Sequence, residues 1–192
     1  DIYNFITQQD YINSCEIYND NIKIDFNLDS WRHNGFLRKG NWFYVLSNSY
    51  NIKIIKMKWL NYNILSSEYS DCIIINRSIR RNTKNFPWDY ITKNNKCFFV
   101  SFDKEDYDKF PYKNNVELLL ISTFDEFAII INSCKFFIGN QTMPLAFAYG
   151  MGKPCLGELF WEDLIHYSGF EEYNNEFIWI SEDKSYIDTK IL

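Results

Sequence analysis

Two short segments of the chain place residues suited to phosphate binding directly after an apolar run. The first segment, 75–82, reads Ile-Asn-Arg-Ser-Ile-Arg-Arg-Asn and follows the apolar run 72–75. It contains three arginines, although the chain as a whole has a net charge of −5. Arginine offers a planar fork of donors that matches phosphate oxygens. Asn76, Arg77 and Arg80 are therefore candidate anion-binding residues. A solvated basic loop paired with nearby acids is the alternative interpretation.

The second segment, 137–146, reads Phe-Ile-Gly-Asn-Gln-Thr-Met-Pro-Leu-Ala, and a helix is predicted to begin soon after an apolar run ends. Gly139 is expected to make the turn and to allow a ligand close to the backbone. Asn140 or Thr142 can cap the helix, whose first N–H groups and dipole favour an anion. Pro144 lacks only an amide that the helix would leave unpaired. An ordinary capped turn without a ligand is the alternative.

A third candidate is Glu158, at the end of the last regular apolar run. A carboxylate there can accept hydrogen bonds from ribose hydroxyls, although a surface carboxylate is an equally open interpretation. The sequence contains no GxGxxG, GxxxxGK[ST] or GxSxG pattern, which disfavours dehydrogenases, P-loop NTPases and serine hydrolases. His33 and His166 lie far apart and form no metal-binding pattern. We therefore expect no metal and no cofactor.

Apolar runs that alternate with helical patterns predict the elements that position these candidates. The predicted strands are 72–75, 97–100, 117–121, 135–138 and 154–158, with a sixth proposed at 177–180. Four helices are predicted, at 86–92, 103–110, 123–132 and 142–149. Asp103 is the expected N-cap of the second, and the third opens on a capping box formed by Thr123 and Glu126. Such alternation implies right-handed βαβ units and an α/β fold with a Rossmann-like parallel sheet and flanking helices. The two candidate segments share one site if their strands are neighbours.

Composition narrows the class of protein further. Hydrophobic residues are 46% and aromatic residues 19% of the chain, which is ample for a packed core. The negative net charge argues against nucleic acid as a partner. Five cysteines without a CxxC spacing are typical of buried thiols in a reducing compartment. With no transmembrane segment and no signal peptide in the sequence, we expect a cytoplasmic protein. Its start at Asp1 leaves open that a preceding portion is missing or has been removed.

The residues of the second segment also carry a family resemblance. Residues 134–148, Cys-Lys-Phe-Phe-Ile-Gly-Asn-Gln-Thr-Met-Pro-Leu-Ala-Phe-Ala, and 150–154, Gly-Met-Gly-Lys-Pro, resemble the heptosyltransferase-like family of GT-B glycosyltransferases (glycosyltransferase family nine and relatives). In that family a strand, a short polar turn, an Ala-rich helix and a Gly-Lys-Pro entry to the next strand form part of the sugar-nucleotide site. The stretches 75–80 and 85–88 resemble a less-characterised branch of it. The similarity covers 71–158.

The resemblance implies a GT-B C-terminal, donor-binding half. Its phosphates would be held without a metal by the turn Asn140, Gln141 and Thr142 and by Arg77 and Arg80. The full set of candidate substrate-binding residues is Asn76, Arg77, Arg80, Gly139, Asn140, Gln141, Thr142, Pro144 and Glu158. The implied partners are a nucleotide-sugar donor and a glycan or other acceptor. Residues 1–65 would be the remainder of an N-terminal acceptor domain with a connector, and 66–192 the Rossmann-like nucleotide-sugar-binding domain.

The chain departs from the family in ways that limit these expectations. Gln141 replaces the acid common in true heptosyltransferases, so the donor sugar need not be a heptose. The Gly-Asp-rich segment that begins the acceptor domain and often supplies the catalytic base is absent, so no catalytic residue is assigned. A sugar-nucleotide-dependent glycosyltransferase is the leading interpretation. A non-catalytic nucleotide-binding or interaction domain with the same fold is the alternative, and a flavodoxin-like or response-regulator module is disfavoured by the lack of clustered acids.

Overall fold

A computed structural model of the chain describes residues 2–19, 21–24, 27, 47, 50–53, 58–80, 82–83, 86–158 and 177–180. A six-stranded sheet runs through the described residues in the order β3-β2-β1-β4-β5-β6, and every neighbouring pair is parallel. The strands are β1 Ile73–Asn76, β2 Cys97–Ser101, β3 Glu117–Leu120, β4 Phe136–Asn140, β5 Cys155–Glu158 and β6 Phe177–Ile180. The predicted α/β class with a Rossmann-like parallel sheet is confirmed.

The strands form where short apolar runs lie between polar segments. Ile73, Ile74 and Ile75 of β1 are between 0% and 2% exposed, as expected of a parallel strand covered on both faces. Alternate side chains of each strand point to opposite faces and join two separate cores. One core contains Ile74, Phe98, Val100, Phe127, Ile131, Phe137 and Leu145. The other contains Ile73, Ile75, Trp88, Ile91, Phe99, Phe110 and Ile138.

The helices with described bounds are α1 Ile2–Thr7, α2 Trp88–Asn94, α3 Glu105–Asp108, α4 Phe124–Ser133 and α5 Met143–Gly150. Short 3-10 turns occupy Ser67–Tyr69 and Lys113–Asn115. The predicted capping box of α4 is confirmed, because the Thr123 side chain accepts from the Glu126 N–H and the Glu126 carboxylate accepts from the Thr123 N–H. No helix in the described ranges is both long enough and apolar enough to cross a membrane.

Two helices differ from their predicted bounds for local reasons. α2 begins at Trp88 rather than at 86, because Pro87 occupies the N-cap position and the Trp88 N–H closes a tight turn onto the Phe86 carbonyl. α3 is a single turn that ends before Phe110, the residue that precedes Pro111, since such a residue disfavours helical backbone. The prediction of Asp103 as N-cap is wrong, because Lys104 occupies that position and no side chain caps the helix from it. Asp103 Oδ1 instead accepts from the Glu105 N–H at 2.8 Å, in the turn that precedes the helix.

Two described parts of the first 65 residues, α1 and the stretch 59–60, pack against the α/β unit. Phe5 of α1 is 2% exposed, and its ring lies 4.9 Å from that of Phe147 on α5. The Gly150 carbonyl, at the end of α5, accepts from the N–H groups of Trp59 and Leu60 at 3.0 and 2.9 Å. The connector before β1 is thus tied to the carboxyl end of α5. The division of the chain at residue 65 stays a prediction.

Candidate functional site

The course of the chain through the sheet defines one point where ligands bind in folds of this kind. From β1 the chain moves outward to β2 and β3, then crosses back to β4 and continues outward on the other side to β5 and β6. Open α/β sheets bind ligands outside the carboxyl ends of their strands where the order reverses in this way. β1 and β4 are neighbours in register, with Asn76 opposite Gly139. Both candidate segments therefore leave the sheet at its switch point.

Gly139 does not make the turn, and that prediction is wrong. β4 continues through Asn140, and Gly139 pairs with Asn76 on one side and with Gly157 on the other. A Cβ atom at Gly139 would lie 2.9 Å from the Asn76 carbonyl oxygen and equally close to the Phe137 ring. Glycine is thus required here by the close approach of β1 rather than by a turn.

Asn140 is fully buried, and its side chain is committed to the segment 77–83, which we call the arginine loop. Its Oδ1 accepts from the Ser78 N–H at 3.2 Å, and its Nδ2 donates to the carbonyls of Ser78 and Arg80 at 3.0 and 2.6 Å. Nδ2 also lies 3.2 Å from Asn82 Oδ1. Asn140 therefore holds the arginine loop against the end of β4.

The predicted side-chain cap of α5 is also wrong. Asn140 is used as described above, and Thr142 occupies the N-cap position without a side-chain hydrogen bond to the helix amides. Its hydroxyl is instead 3.3 Å from the Asn140 carbonyl oxygen. Pro144 lies in the first turn, as predicted. The first-turn amide groups of α5 thus lack a capping side chain from the described residues, and they face the same edge as the arginine loop.

Arg77 and Glu158 form a bidentate ion pair beneath this loop. Arg77 Nε and a terminal nitrogen lie 2.7 and 2.8 Å from the two carboxylate oxygens of Glu158. The Thr83 N–H donates to the same carboxylate at 2.8 Å, and the Arg77 guanidinium also lies over the Trp88 ring at 5.7 Å. Glu158 is 0% exposed, so the interpretation as a surface carboxylate is wrong. The pair ties both ends of the arginine loop to β5.

The other candidates differ in how open they are. The Asn76 side chain is buried and donates to the Val100 carbonyl at 2.8 Å, which links β1 to β2. Gln141 is partly buried between β4 and α5. Arg80 is exposed, and its guanidinium forms no ion pair with the part of the chain that the structure describes. Arg81, His33 and His166 lie outside the described residues.

Asp106 is a site residue that sequence reasoning did not find. Its Oδ1 accepts from the Ile79 N–H at 3.0 Å, so α3 supports the arginine loop from the side opposite to β5. Nothing in the sequence signals this contact, because Asp106 fits equally well as an ordinary acid in the first turn of a short helix. The loop is therefore braced from three elements: β4, β5 and α3.

The chemistry available at this edge is anion binding. In the described ranges, no group of three or more His, Cys, Asp and Glu residues is placed to hold a metal ion. Burial raises the pKa of the Cys97 and Cys134 thiols to about 12, so neither of these two supplies a thiolate nucleophile at neutral pH. Arg80 offers an exposed positive charge, and α5 offers amide donors at its positive dipole end. Exposed Ile79 and Met143 flank them.

Comparisons with known proteins find likeness of fold. No family model and no curated protein sequence matches the chain. Among solved structures, E. coli heptosyltransferase WaaC with ADP-2-deoxy-2-fluoro heptose matches with a TM-score of 0.44 at 10% identity, over 71% of this chain and 46% of that one. The same enzyme with ADP matches with a TM-score of 0.41 at 12% identity, over 73% and 43%. The chain spans less than half of these enzymes, and the likeness is one of fold alone.

Proposed function

We propose that the switch-point edge binds the diphosphate of a nucleotide sugar, and that the chain is the donor half of a metal-independent glycosyltransferase. The observation that carries the proposal is the reversal of strand order between β1 and β4, with an uncapped helix start and an exposed arginine at the same edge. Ligand charge is expected outside the carboxyl ends of strands at such a point. The motif resemblance of residues 134–154 supports the glycosyl-transfer class.

The proposed contacts divide the candidate residues into two roles. The first-turn amides of α5 and the guanidinium of Arg80 would contact the phosphates, where they stabilise negative charge on a leaving diphosphate. Arg77 and Asn140 would act by holding the arginine loop, since their side chains already have buried partners. A direct phosphate contact by Arg77 would require its exchange away from Glu158, which is costly in a buried site.

One observation favours the second candidate, a non-catalytic nucleotide-binding domain. The buried polar side chains at this edge satisfy one another, and none of Asn76, Arg77, Asn140 and Glu158 is aimed outward as an acid or a base. Such a site fits binding better than proton transfer. A glycosyltransferase would then need a base from an acceptor half, whereas a binding domain would not.

Calorimetry with a panel of nucleoside diphosphate sugars, in EDTA, tests the proposal. We expect binding without added metal, and we expect Arg80→Ala to weaken it by about 1.5–3 kcal/mol, the range for hydrogen bonds to charged groups. Lys93→Ala is the matched control, because Lys93 is an exposed cation in the last turn of α2 that pairs with Asp89, away from the switch point.

Three results would count against the proposal. If no nucleotide of the panel binds to the folded protein, the site assignment is wrong. If binding is lost on chelation and restored by Mg²⁺ or Mn²⁺, the metal-independent part is wrong. If binding occurs and sugar transfer is absent when the chain is supplied with acceptor glycans and an acceptor half, the non-catalytic alternative replaces the enzyme.

A further inference from the structure

We propose that the open edge of β3 is a docking site at which an extended, apolar and basic segment of another protein adds to the sheet as a further strand. This edge is at the far side of β2 from the switch point. A groove of about 500 Å³ runs beside it, between β3, α4 and the turn Ser67–Tyr69. The inference does not depend on nucleotide binding.

The backbone of β3 offers hydrogen-bonding groups to such a segment. The Ile121 N–H donates to the Ser101 carbonyl at 3.0 Å, so Ile121 faces β2. Alternate residues of a parallel strand direct their N–H and C=O groups to opposite sides. Leu118 and Leu120 therefore direct theirs away from β2, where the sheet order places no further strand among those described. Within the described part of the chain, the outward backbone groups of these two residues are left to pair with an added strand.

The side chains at this edge lack the features that usually prevent pairing. Exposed edges are commonly protected by Lys, Pro or a bulge. Residues 117–121 read Glu-Leu-Leu-Leu-Ile, with the only charge at the start, and Leu120 is 61% exposed. Leu119 together with Ile129 and Ile130 of α4 gives the groove an apolar wall. Since every second side chain of an added strand would enter the groove, small or branched apolar residues would fit it.

The charges around the groove determine which segment fits. Glu68 and Glu126 line it, and Glu117 begins β3. The pKa of Tyr69 is raised by burial and then by the negative charges of Glu68 and Glu117, as expected of a groove with a negative field. Opposing this field, the exposed Lys96 ammonium lies over the Phe98 ring at 5.2 Å. The acids outnumber it, so the complementary segment carries Lys or Arg beside its apolar residues.

The probe for this site is the acetylated and amidated peptide Lys-Val-Ile-Val-Thr-Val-Lys. We expect it to bind at low ionic strength by fluorescence anisotropy, and to slow hydrogen exchange of the Leu118 and Leu120 amides. Leu120→Lys should weaken binding by about tenfold or more, since it adds a charge and removes an apolar contact at the strand edge. Ile17→Lys is the matched control, because Ile17 is 75% exposed in a segment outside the groove. Both variants should keep the wild-type circular dichroism melt and the same nucleotide affinity.

Two further peptides separate strand addition from looser adhesion. N-methylation of alternate backbone amides removes the donors on one edge of the strand, so one of the two N-methylated registers should fail to bind. Replacement of both lysines by glutamate should weaken binding by several fold at low salt. Equal binding of all these peptides, or of wild type and Leu120→Lys, would overturn the proposal. Dimerisation of the free protein that Leu120→Lys abolishes would assign the edge to a second copy and overturn the heterologous partner.

Discussion

The switch-point edge and the β3 edge differ in whether their polar groups have hydrogen-bonding partners among the described residues. At the switch point, the chain buries Asn140 and Glu158 completely and gives each of them partners in the arginine loop. At β3, it leaves backbone groups of Leu118 and Leu120 directed outward beside an apolar groove. Satisfied buried networks add rigidity, whereas open strand edges retain the capacity to pair. Substitutions should therefore affect folding at the first edge and association at the second.

The largest expected effect is that of Arg77→Ala on the free energy of unfolding. Among the described residues, the substitution leaves the buried Glu158 carboxylate with the Thr83 N–H as its remaining donor. Loss of one partner of a buried pair costs about 3–5 kcal/mol. Urea denaturation at neutral pH measures it. The double variant Arg77→Met, Glu158→Leu should recover most of the loss, because it removes both charges. A loss under about 1 kcal/mol for Arg77→Ala would show that water reaches the pair.

A smaller loss is expected from Asn140→Ala. The substitution removes two part-buried hydrogen bonds, from Nδ2 to the carbonyls of Ser78 and Arg80. At the usual net value of a hydrogen bond, their loss costs about 1–3 kcal/mol in total. Hydrogen exchange of the Ser78 amide should also accelerate, because Oδ1 of Asn140 accepts that proton. Asn140→Asp is the matched variant. It keeps an oxygen that accepts from the Ser78 N–H, but it replaces the donating Nδ2 by an oxygen that faces the carbonyls of Ser78 and Arg80. Unchanged exchange at Ser78 in both variants would contradict the role given to Asn140.

Glu126 belongs both to the capping box of α4 and to the lining of the groove beside β3. Its contribution to the free energy of unfolding should depend on pH. Hydrogen bonds from Ser122 and Thr123 lower the pKa of its carboxyl group. A lowered folded-state pKa contributes stability above the unfolded pKa, and that contribution is lost as pH falls through the folded value. Wild type should thus unfold at higher urea than Glu126→Gln at pH near 7, with the difference shrinking at acidic pH. Parallel curves from neutral to acidic pH would show that the carboxylate charge is irrelevant to the cap.

The smallest expected effect on stability is that of Leu120→Thr. Its side chain is mostly exposed, and surface substitutions of this kind fall within about 0.5 kcal/mol. Peptide binding at β3 should fall in the same variant, which separates the two edges in one experiment. A loss in urea denaturation comparable to that of Asn140→Ala would mean that Leu120 belongs to the core and that the two edges do not differ as described.

Local sequence patterns predicted the elements well but not the contacts between them. Apolar runs bounded by polar residues predicted all six strands, since a parallel strand buried on both faces has a distinctive composition. The Thr123/Glu126 capping box was equally predictable because both partners lie within one turn. By contrast, Arg77 and Glu158 are separated by 81 positions, and no local rule indicates that two such distant residues form a pair.

The errors at Gly139 and Asn140 have a common origin. A glycine after an apolar run is a sound turn signal when only the local backbone is considered. Here the neighbouring strand decides, because β1 approaches so closely that no Cβ fits at Gly139. Asparagine is likewise a common helix cap, but the side-chain amide of Asn140 donates to the loop that follows β1. Both outcomes depend on which strands are adjacent, and the sequence alone does not fix that.

The hydrogen bonds from Trp59 and Leu60 to the Gly150 carbonyl connect the end of α5 to the segment before β1. A helix of eight residues is a stiff rod about 12 Å long, with its amide end at the switch point and its carbonyl end bound to the connector. A Cβ at Gly150 would lie 2.7 Å from the Trp59 indole, so the ring packs directly against the backbone at the end of this helix. Trp59 also packs against Tyr149 at 5.3 Å between ring centroids. Because Trp59 contacts the carboxyl end of α5, we expect its fluorescence to change if an anion bound at the other end displaces the helix.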